Sequence, residues 1–379
     1  MNKEWGDVFR NMTLKELNEL PFLKEFPDHF PNSLKHFIQS CEQMSLNRSQ
    51  EITESTEIPL EMRRNISAKK LHEISNMATV VSSLYNKNDC DLVIDIGAGL
   101  GYVSELLSKV YNIPVVTLEG NESHAEKAAK KLESSKIKVY TLRIDDSQLV
   151  REKLKNIIEE NNSNNTCVIG LHCCGDLTVN ILRLCSQINV SLVCLVSCCY
   201  HRMSKWPMSS KLTSIFKGPL SLYGLRLGAQ ETRIRWLNQT ENDHETHVRN
   251  VLYRAVLELF LKNKGMETLK KTKRRLVRRE ERLSFAHYID DVINRTEFSS
   301  LWKEEITQLY RECEEAENMI EPITCLQVML QSVIETLILI DRVYFLKENG
   351  SYDVNLLNVF DDKISPRNVA IVMEAKKML

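Results

Sequence analysis

Short apolar runs alternate with amphipathic stretches between residues 91 and 200, and this alternation is the strongest pattern in the chain. Five runs have the length and composition of β-strands, at residues 92–95, 115–119, 139–142, 167–171 and 192–197. Strands that alternate with helices are typical of a parallel sheet covered by helices on both faces. We therefore predict a doubly wound α/β core, in which ligands bind beyond the carboxyl ends of the strands.

Outside this core the pattern is mostly helical, except for two β-like runs near the end of the sequence. We predict that these runs pair as a terminal antiparallel hairpin and complete a seven-stranded sheet. The predicted organisation has four parts: a helical N-terminal region over residues 1–75, a Rossmann-like core over 76–204, a large helical insertion over 205–350 as a substrate domain, and the last two strands over 351–379. A length of 379 residues is compatible with two to three domains.

The first strand runs into a glycine-rich turn. In order, the turn contains Asp95, Ile96, Gly97, Ala98, Gly99, Leu100 and Gly101. Glycine lets backbone N–H groups approach a ligand at the start of a helix, where a Cβ atom would block it. A dinucleotide site has the spacing Gly-x-Gly-x-x-Gly, whereas here the third glycine comes one residue early and Tyr102 takes its place. The spacing favours S-adenosylmethionine over NAD.

Acidic residues after the next two strands extend this prediction. Glu119 ends the second strand and can accept hydrogen bonds from both ribose hydroxyls. Asp145 and Asp146 follow the third strand, where either could accept a hydrogen bond from an adenine amine or cap a helix. The predicted cofactor contacts are Asp95, Gly97, Ala98, Gly99, Leu100, Gly101, Glu119, Asp145, Asp146 and His172.

Composition narrows the class of protein. Lys and Arg number 50 and Asp and Glu number 51, so no overall positive field points to nucleic acid. The first residues lack the pattern of a secretory signal, and we expect no membrane span and a location in the cytoplasm or nucleus. Eleven cysteines, two pairs of them adjacent, indicate thiols or metal ligands more than a disulfide framework.

Polar residues follow the fourth and fifth strands, whose carboxyl ends should lie on one rim of the sheet. His172 and Asp176 could position or deprotonate a methyl acceptor, with Tyr200 or His201 completing the pocket. One cysteine from each strand end, Cys199 among them, could instead act as a nucleophile toward a pyrimidine ring. The candidate catalytic residues are His172, Asp176, Cys199, Tyr200 and His201.

Two other interpretations of the rim cysteines stay open. Zinc could be held by His172, Cys174, Cys199 and His201, but adjacent cysteines differ from the usual Cys-x-x-Cys spacing, and we predict no metal. Each cysteine could also be a small buried hydrophobic residue beside the cofactor.

One dense basic run extends from Lys270 to Arg282, and Phe285, His287 and Tyr288 follow it. Such a run can neutralise phosphates, and the aromatic rings could stack on bases, which suits RNA. A solvated helix face or a localisation segment would have the same composition.

With these residues in view, the chain resembles the eukaryotic methyltransferase-like 25 family, whose relatives include the ribosomal RNA adenine dimethylase domain-containing protein. The resemblance rests on residues 67–73, 95–101, 170–178, 198–200, 207–209 and 365–368. It implies a class I methyltransferase fold, which ends its sheet with a reversed strand, and S-adenosylmethionine as cofactor. The Asn/Asp-Pro-Pro-aromatic motif of adenine-N6 enzymes is absent after the fourth strand. We expect a macromolecular acceptor, with RNA favoured over protein, and a non-catalytic cofactor-binding interaction protein as the alternative.

Overall fold

The structure is a computed structural model that describes residues 3–49, 55–135, 137–188, 190–266, 284–294 and 299–376. The chain divides into two compact units. The sheet unit consists of Gln43–Arg235 and Leu330–Leu379, and the helical unit consists of Met1–Glu42 and Trp236–Met329.

The sheet unit contains a seven-stranded sheet. Its strands are β1 (Leu92–Ile96), β2 (Val115–Glu119), β3 (Lys138–Thr141), β4 (Thr166–Cys174), β5 (Leu192–Cys198), β6 (Tyr352–Asn358) and β7 (Val369–Ala375). Their order in the sheet is β3-β2-β1-β4-β5-β7-β6. Strands β1 to β5 are parallel, and β7 lies antiparallel between β5 and β6. The predicted doubly wound α/β fold with a terminal hairpin is confirmed, and β7 is the reversed strand that the family resemblance implies.

The described α-helices follow in chain order. They are α1 (Lys3–Arg10), α2 (Leu14–Glu19), α3 (Asn32–Gln43), α4 (Ala68–Lys87), α5 (Tyr102–Tyr111), α6 (Glu122–Leu132), α7 (Gln148–Glu160), α8 (Asp176–Cys185), α9 (Ser210–Ile215), α10 (Leu222–Leu227), α11 (Arg233–Leu237), α12 (Glu241–Asn263), α13 (Phe285–Asn294), α14 (Lys303–Glu312) and α15 (Ile320–Asn349). Ser67 caps the N-terminus of α4, because its hydroxyl accepts a hydrogen bond from the Lys70 amide.

Helices cover both faces of the sheet, so the central strands have apolar residues at successive positions. All five residues of β1 are buried, as expected where a parallel sheet is covered on both sides. Ile94 and Ile96 pack with α7 and α8 on one face. Val93 packs with α4 and α5 on the other face. Alternate residues of one strand therefore supply two separate cores.

The compact units do not follow the boundaries that the sequence pattern predicts. Residues 43–75, 205–235 and 330–350 belong to the same unit as the sheet. Helix α4 begins at Ala68 and covers one face of the sheet. The last part of α15 packs Leu339 and Leu346 into the core on the other face. These helices are structural parts of the core, although their polar and apolar pattern does not distinguish them from an insertion.

The helical unit has an aromatic core. Tyr253 of α12 packs with Phe285 and Tyr288 of α13, and the rings of Phe285 and Tyr310 stack with centroids 4.1 Å apart. Phe285 and Tyr288 are each 5% exposed. Both rings are committed to this core, so the interpretation of these two residues as a stacking surface for RNA is wrong. The basic run from Lys270 to Arg282 lies outside the described residues.

One helical segment, Glu314–Asn349, is long and apolar enough to cross a membrane by length and composition. We expected no such segment from the sequence. Half of its most apolar window is buried inside the protein, and its buried residues include Glu335, Asp341 and Arg342. The core helix of a soluble protein passes the same test, so this segment is weak support for a membrane span.

Candidate active site

The turn between β1 and α5 has the backbone that its glycines predict. Gly97, Gly99 and Gly101 have positive φ angles of 71°, 58° and 69°, which side chains with a Cβ rarely adopt. A Cβ at Gly101 would lie 2.5 Å from Leu132. A Cβ at Gly99 would meet no atom of the described chain within 4 Å. A side chain at 101 would therefore have to displace Leu132, whereas Gly99 leaves open space for a ligand.

Two cavities lie beside this turn. The α4-side cavity has a volume of about 260 Å³, and its wall includes Lys70, Glu73, Asp95, Gly99 and His172. The α8-side cavity has a volume of about 370 Å³, and its wall includes Glu119, Leu142, Ile144, Cys174 and Asp176. Gly97 lines both cavities. Together they offer the room of a small-molecule site at the carboxyl ends of the strands.

Asp95 is the buried acid of this site. It is 3% exposed, and the Ser104 hydroxyl donates to its Oδ2 at 2.6 Å. Burial, assisted by the charge of Glu119 and opposed by the Ser104 hydrogen bond, raises the pKa of Asp95 to about 6. A cationic ligand group beside this carboxyl would favour its ionised form.

Glu119, at the end of β2, forms a hydrogen bond with the glycine turn. Its Oε2 accepts a hydrogen bond from the Gly99 amide at 2.9 Å, and its Oε1 accepts one from the Asn121 amide at 2.8 Å. Each carboxylate oxygen can accept a second hydrogen bond. Glu119 lines the α8-side cavity, so this residue fits the predicted role of holding two ribose hydroxyls.

Asp145 and Asp146 have local partners. Asp145 accepts a hydrogen bond from the Ser147 amide at 3.0 Å before α7, and Asp146 forms an ion pair with Arg183 at 2.8 Å. Neither is among the residues that line the two described cavities, whereas Leu142, Arg143 and Ile144 are. An adenine contact through either aspartate stays a prediction.

His172 is held at the wall of the α4-side cavity by a bulge in β4. Its φ is +59°, and the pairing with β5 shifts register between Leu171 and Cys173. Bulges of this kind re-aim a side chain at the end of a strand. The His172 Nε2 atom lies 3.0 Å from Oε1 of Glu73, a residue of α4 that is 4% exposed.

Glu73, the partner of His172, lines the same cavity, and we did not predict it from the sequence. The Ser365 hydroxyl donates to its Oε1 at 2.6 Å, and Lys69 lies 3.7 Å away. Burial opposes its ionisation, but hydrogen bonds with His172 and Ser365 and the nearby charges hold the pKa of Glu73 below its usual value. The only sequence signal for this pair is that residues 67–73 and 365–368 both belong to the family resemblance.

Lys70 of α4 also lines the α4-side cavity. Its Nζ lies 3.9 Å from the centroid of the Tyr102 ring, and the Nζ of Lys131 lies 4.2 Å from the same centroid. Burial and the charge of Lys131 lower the pKa of Lys70. Two cations on one ring make this wall suited to an anionic ligand group.

Three of the five candidate catalytic residues do not line either described cavity. Tyr200 is 2% exposed and donates to Oε1 of Glu335 at 2.7 Å. His201 has a buried Nδ1 with no hydrogen-bond partner in the described part of the chain, and burial and two nearby arginines lower its pKa. Asp176 lines the α8-side cavity and accepts a hydrogen bond from the Ser204 amide at 2.8 Å. Only His172 and Asp176 therefore reach the cavities.

Cys199, the remaining candidate, belongs to a cluster of three thiols. The Sγ atoms of Cys174, Cys198 and Cys199 all lie within 4.8 Å of one another, and those of Cys174 and Cys198 are 3.0 Å apart. Hydrogen bonds from Cys198 and Cys199 and the charge of Arg202 outweigh burial and lower the pKa of Cys174 to about 6. Cys173 points into the core and is 1% exposed. It is therefore a small buried hydrophobic residue, which was one of the interpretations of the rim cysteines.

Comparisons with solved structures give methyltransferases at low similarity. The plantazolicin methyltransferase BpumL in complex with SAH is 13% identical, with a TM-score of 0.25 over 82% of this chain and 93% of that chain. Coclaurine N-methyltransferase bound to N-methylheliamine and SAH is 12% identical, with a TM-score of 0.25 over 50% of this chain and 57% of that chain.

Curated relatives are more informative. The probable methyltransferase-like protein 25 of Homo sapiens is 26% identical over 281 residues, which cover 69% of this chain and 44% of that protein. The Mus musculus protein of the same name is 27% identical over 246 residues, which cover 59% of this chain and 40% of that protein. The chain spans less than half the length of these relatives.

A family model described as a methyltransferase domain matches residues 69–206. The match contains β1 to β5, the glycine turn, Glu73 and His172. It confirms S-adenosylmethionine as the cofactor class that the glycine spacing predicts, and the resemblance to the methyltransferase-like 25 family is also confirmed. Residues 69–206 of this chain are therefore similar to a methyltransferase domain, and the chain is similar to methyltransferase-like protein 25.

Proposed function

We propose that this chain is an S-adenosylmethionine-dependent methyltransferase that acts on a macromolecular acceptor, with RNA favoured over protein. One observation carries the proposal. In a methyltransferase domain, the glycine turn leaves open space at Gly99, beside two cavities lined by acids at the ends of β1 and β2.

The residues present fit the cofactor. Glu119 has acceptor capacity left for ribose hydroxyls, and Leu142 and Ile144 provide an apolar wall beside it for an adenine ring. Asp95, at the α4-side cavity, would face the cationic amino-acid end. When bound, the cofactor supplies a methyl group that is already activated by its positively charged sulfur.

His172 is the residue best placed to handle the acceptor. Because the Glu73 carboxylate accepts the hydrogen of Nε2, the other ring nitrogen, Nδ1, is left as an acceptor. In this tautomer His172 can orient an acceptor hydroxyl or amine and take its proton during transfer. Since the methyl group is already reactive, positioning supplies most of the rate enhancement.

Cofactor affinity should depend on pH through Asp95. Its pKa of about 6 means that the carboxyl is mostly protonated at pH 5 and mostly ionised at pH 7, and only the ionised form attracts a cation. We expect the affinity for S-adenosylmethionine to rise about tenfold from pH 5 to pH 7. Isothermal titration across this range measures the effect. Asp95→Asn should bind weakly and without this slope, whereas a flat profile in the wild type would contradict the assigned contact.

RNA as the acceptor is supported by the basic run from Lys270 to Arg282. It holds eight Lys and Arg residues. Since Phe285 and Tyr288 are buried in the helical core, charge is the feature of this segment that suits RNA. Phosphate contacts of this kind make binding strongly dependent on salt.

Neutralising all eight basic residues with glutamine should weaken RNA binding at least about tenfold in 0.15 M salt and flatten its salt dependence. Filter binding of labelled total RNA measures both quantities. Arg→Lys replacements at the five arginines of the run provide the matched control, because they keep the charge, and they should bind like the wild type. Unchanged affinity in the glutamine variant would remove the support for RNA and make protein the leading acceptor.

A further inference from the structure

The cluster of Cys174, Cys198 and Cys199 is assembled by the backbone. Cys174 and Cys198 are register partners at the ends of the neighbouring parallel strands β4 and β5. Adjacent residues of an extended strand point to opposite faces, and Cys173 accordingly points into the core. Cys198 and Cys199 nevertheless place their sulfur atoms close together, because the backbone at Cys199 has a φ of +50°. A residue with a Cβ is strained in such a conformation, and strained residues of this kind cluster at functional sites.

The sulfur positions suit a metal ion. Zinc binds thiolates at about 2.3 Å, so tetrahedral geometry places sulfurs about 3.8 Å apart. The three Sγ atoms lie within 4.8 Å of one another, and the pair at 3.0 Å would need to open by less than about 1 Å. The donors are all sulfur, which selects thiophilic ions and disfavours Mg²⁺ and Ca²⁺.

The charges around the cluster select a divalent ion. The positively charged Arg202 lies beside the cluster, since it lines the α8-side cavity together with Cys174. Three thiolates and one divalent cation carry a net charge of −1, which the Arg202 guanidinium neutralises. A monovalent ion such as Cu⁺ would leave an uncompensated negative charge in this half-buried position.

We propose that Cys174, Cys198 and Cys199 bind one Zn²⁺ ion, whose fourth position is taken by water or by another exchangeable ligand. Three protein ligands and an open position are typical of catalytic rather than structural zinc. Cys174 and Arg202 both line the α8-side cavity, so the ion lies at the edge of the cofactor site. The adjacent-cysteine spacing obscured this site in the sequence, where we predicted no metal.

The test uses the full chain purified with and without added ZnCl₂. We expect one zinc per chain by mass spectrometry of the metal, about three sulfur neighbours at about 2.3 Å by X-ray absorption, and a thiolate-to-metal charge-transfer band after substitution with CoCl₂. These wild-type measurements do not depend on whether a variant folds. Cys174→Ser, Cys198→Ser and Cys199→Ser should each weaken zinc binding at least about 100-fold, and Cys313→Ser, at a half-buried cysteine of the helical unit, should not.

Three results would overturn the zinc site. One is wild-type protein with no zinc, no cobalt spectrum and all eleven thiols open to titration after unfolding. Another is a disulfide between Cys174 and Cys198 in protein prepared with zinc present, and the third is wild-type zinc affinity in all three serine variants. Titration of S-adenosylhomocysteine into the same samples keeps the two proposals separate, because cofactor binding by zinc-free protein would leave the proposed methyltransferase function standing.

Discussion

Gly99→Arg will abolish cofactor binding and leave the sheet unit folded. The new side chain would start in the open space beside the glycine turn, where the cofactor is expected, and it would carry a positive charge toward a positively charged ligand. We expect the affinity for S-adenosylmethionine to fall by about 100-fold or more. The cost to stability should be small, about 1–2 kcal/mol for a side chain in the left-handed region. Isothermal titration measures the affinity, and urea unfolding measures the stability.

Gly265→Arg is the matched control. Gly265 follows α12 in the helical unit, has a φ of +67°, and would also place a Cβ more than 4 Å from other described atoms. The same change in charge, volume and backbone strain is therefore made away from the glycine turn. Cofactor affinity equal to the wild type in Gly265→Arg and lost in Gly99→Arg would locate the site, whereas retained affinity in Gly99→Arg would refute the site assignment.

Glu335→Ala will destabilise the sheet unit by about 3–5 kcal/mol. Glu335 of α15 is 1% exposed and forms ion pairs with Arg48 and, at 3.0 Å, with Arg367. It also accepts hydrogen bonds from Tyr200 at 2.7 Å and from Gln331 at 2.8 Å. Removing the carboxylate leaves two buried guanidinium groups without their counter-charge, which costs more than the pair itself contributes. The loss is a large share of a typical domain stability of about 5–15 kcal/mol.

Urea unfolding followed by circular dichroism measures this effect. Lys347→Ala, at an exposed position of the same helix, should change the free energy of unfolding by less than about 0.5 kcal/mol. Tyr200→Phe removes the hydrogen bond to Glu335 and a longer one that the hydroxyl accepts from Ser197 at 3.4 Å, and it should cost about 1–3 kcal/mol. A loss below about 1 kcal/mol in Glu335→Ala would contradict the role of this cluster in holding α15 against the sheet.

The fold could be predicted because its signals are local. Strands β1, β2, β4 and β5 are short, mostly buried apolar runs, since helices cover both faces of the sheet there. The glycine turn follows β1 directly. Glycine spacing also distinguishes cofactor classes without any knowledge of the third dimension. The terminal hairpin was predictable for the same reason, because two β-like runs lie close together in sequence.

The rest of the site depends on contacts between distant residues. Glu73 meets His172 only because α4 covers the end of β4, and Ser365 reaches the same carboxylate from the segment between β6 and β7. Tyr200 looked catalytic because it follows a strand end, but its hydroxyl is committed to Glu335, which lies 135 residues away in the chain. Partners at such separations leave no periodic pattern.

The cysteine cluster shows a further limit. A strand places adjacent cysteines on opposite faces, and the left-handed backbone at Cys199 that overrides this rule cannot be predicted from residue types.

Residues 365–368, one of the segments that carry the family resemblance, also make contacts with residues that are distant in the sequence. They bond to Glu73, Glu335 and the backbone of Arg48, so they hold the fold together around the site.

Methyl transfer from tritiated S-adenosylmethionine is the most direct test of the central claim. Purified wild-type protein is incubated with RNA and protein fractions from cells that lack the gene, and Gly99→Arg serves as the inactive control. We expect label to enter the RNA fraction with the wild type and not with Gly99→Arg. Label in neither fraction, from protein that binds the cofactor, would contradict the claim of catalysis and favour a cofactor-binding interaction protein.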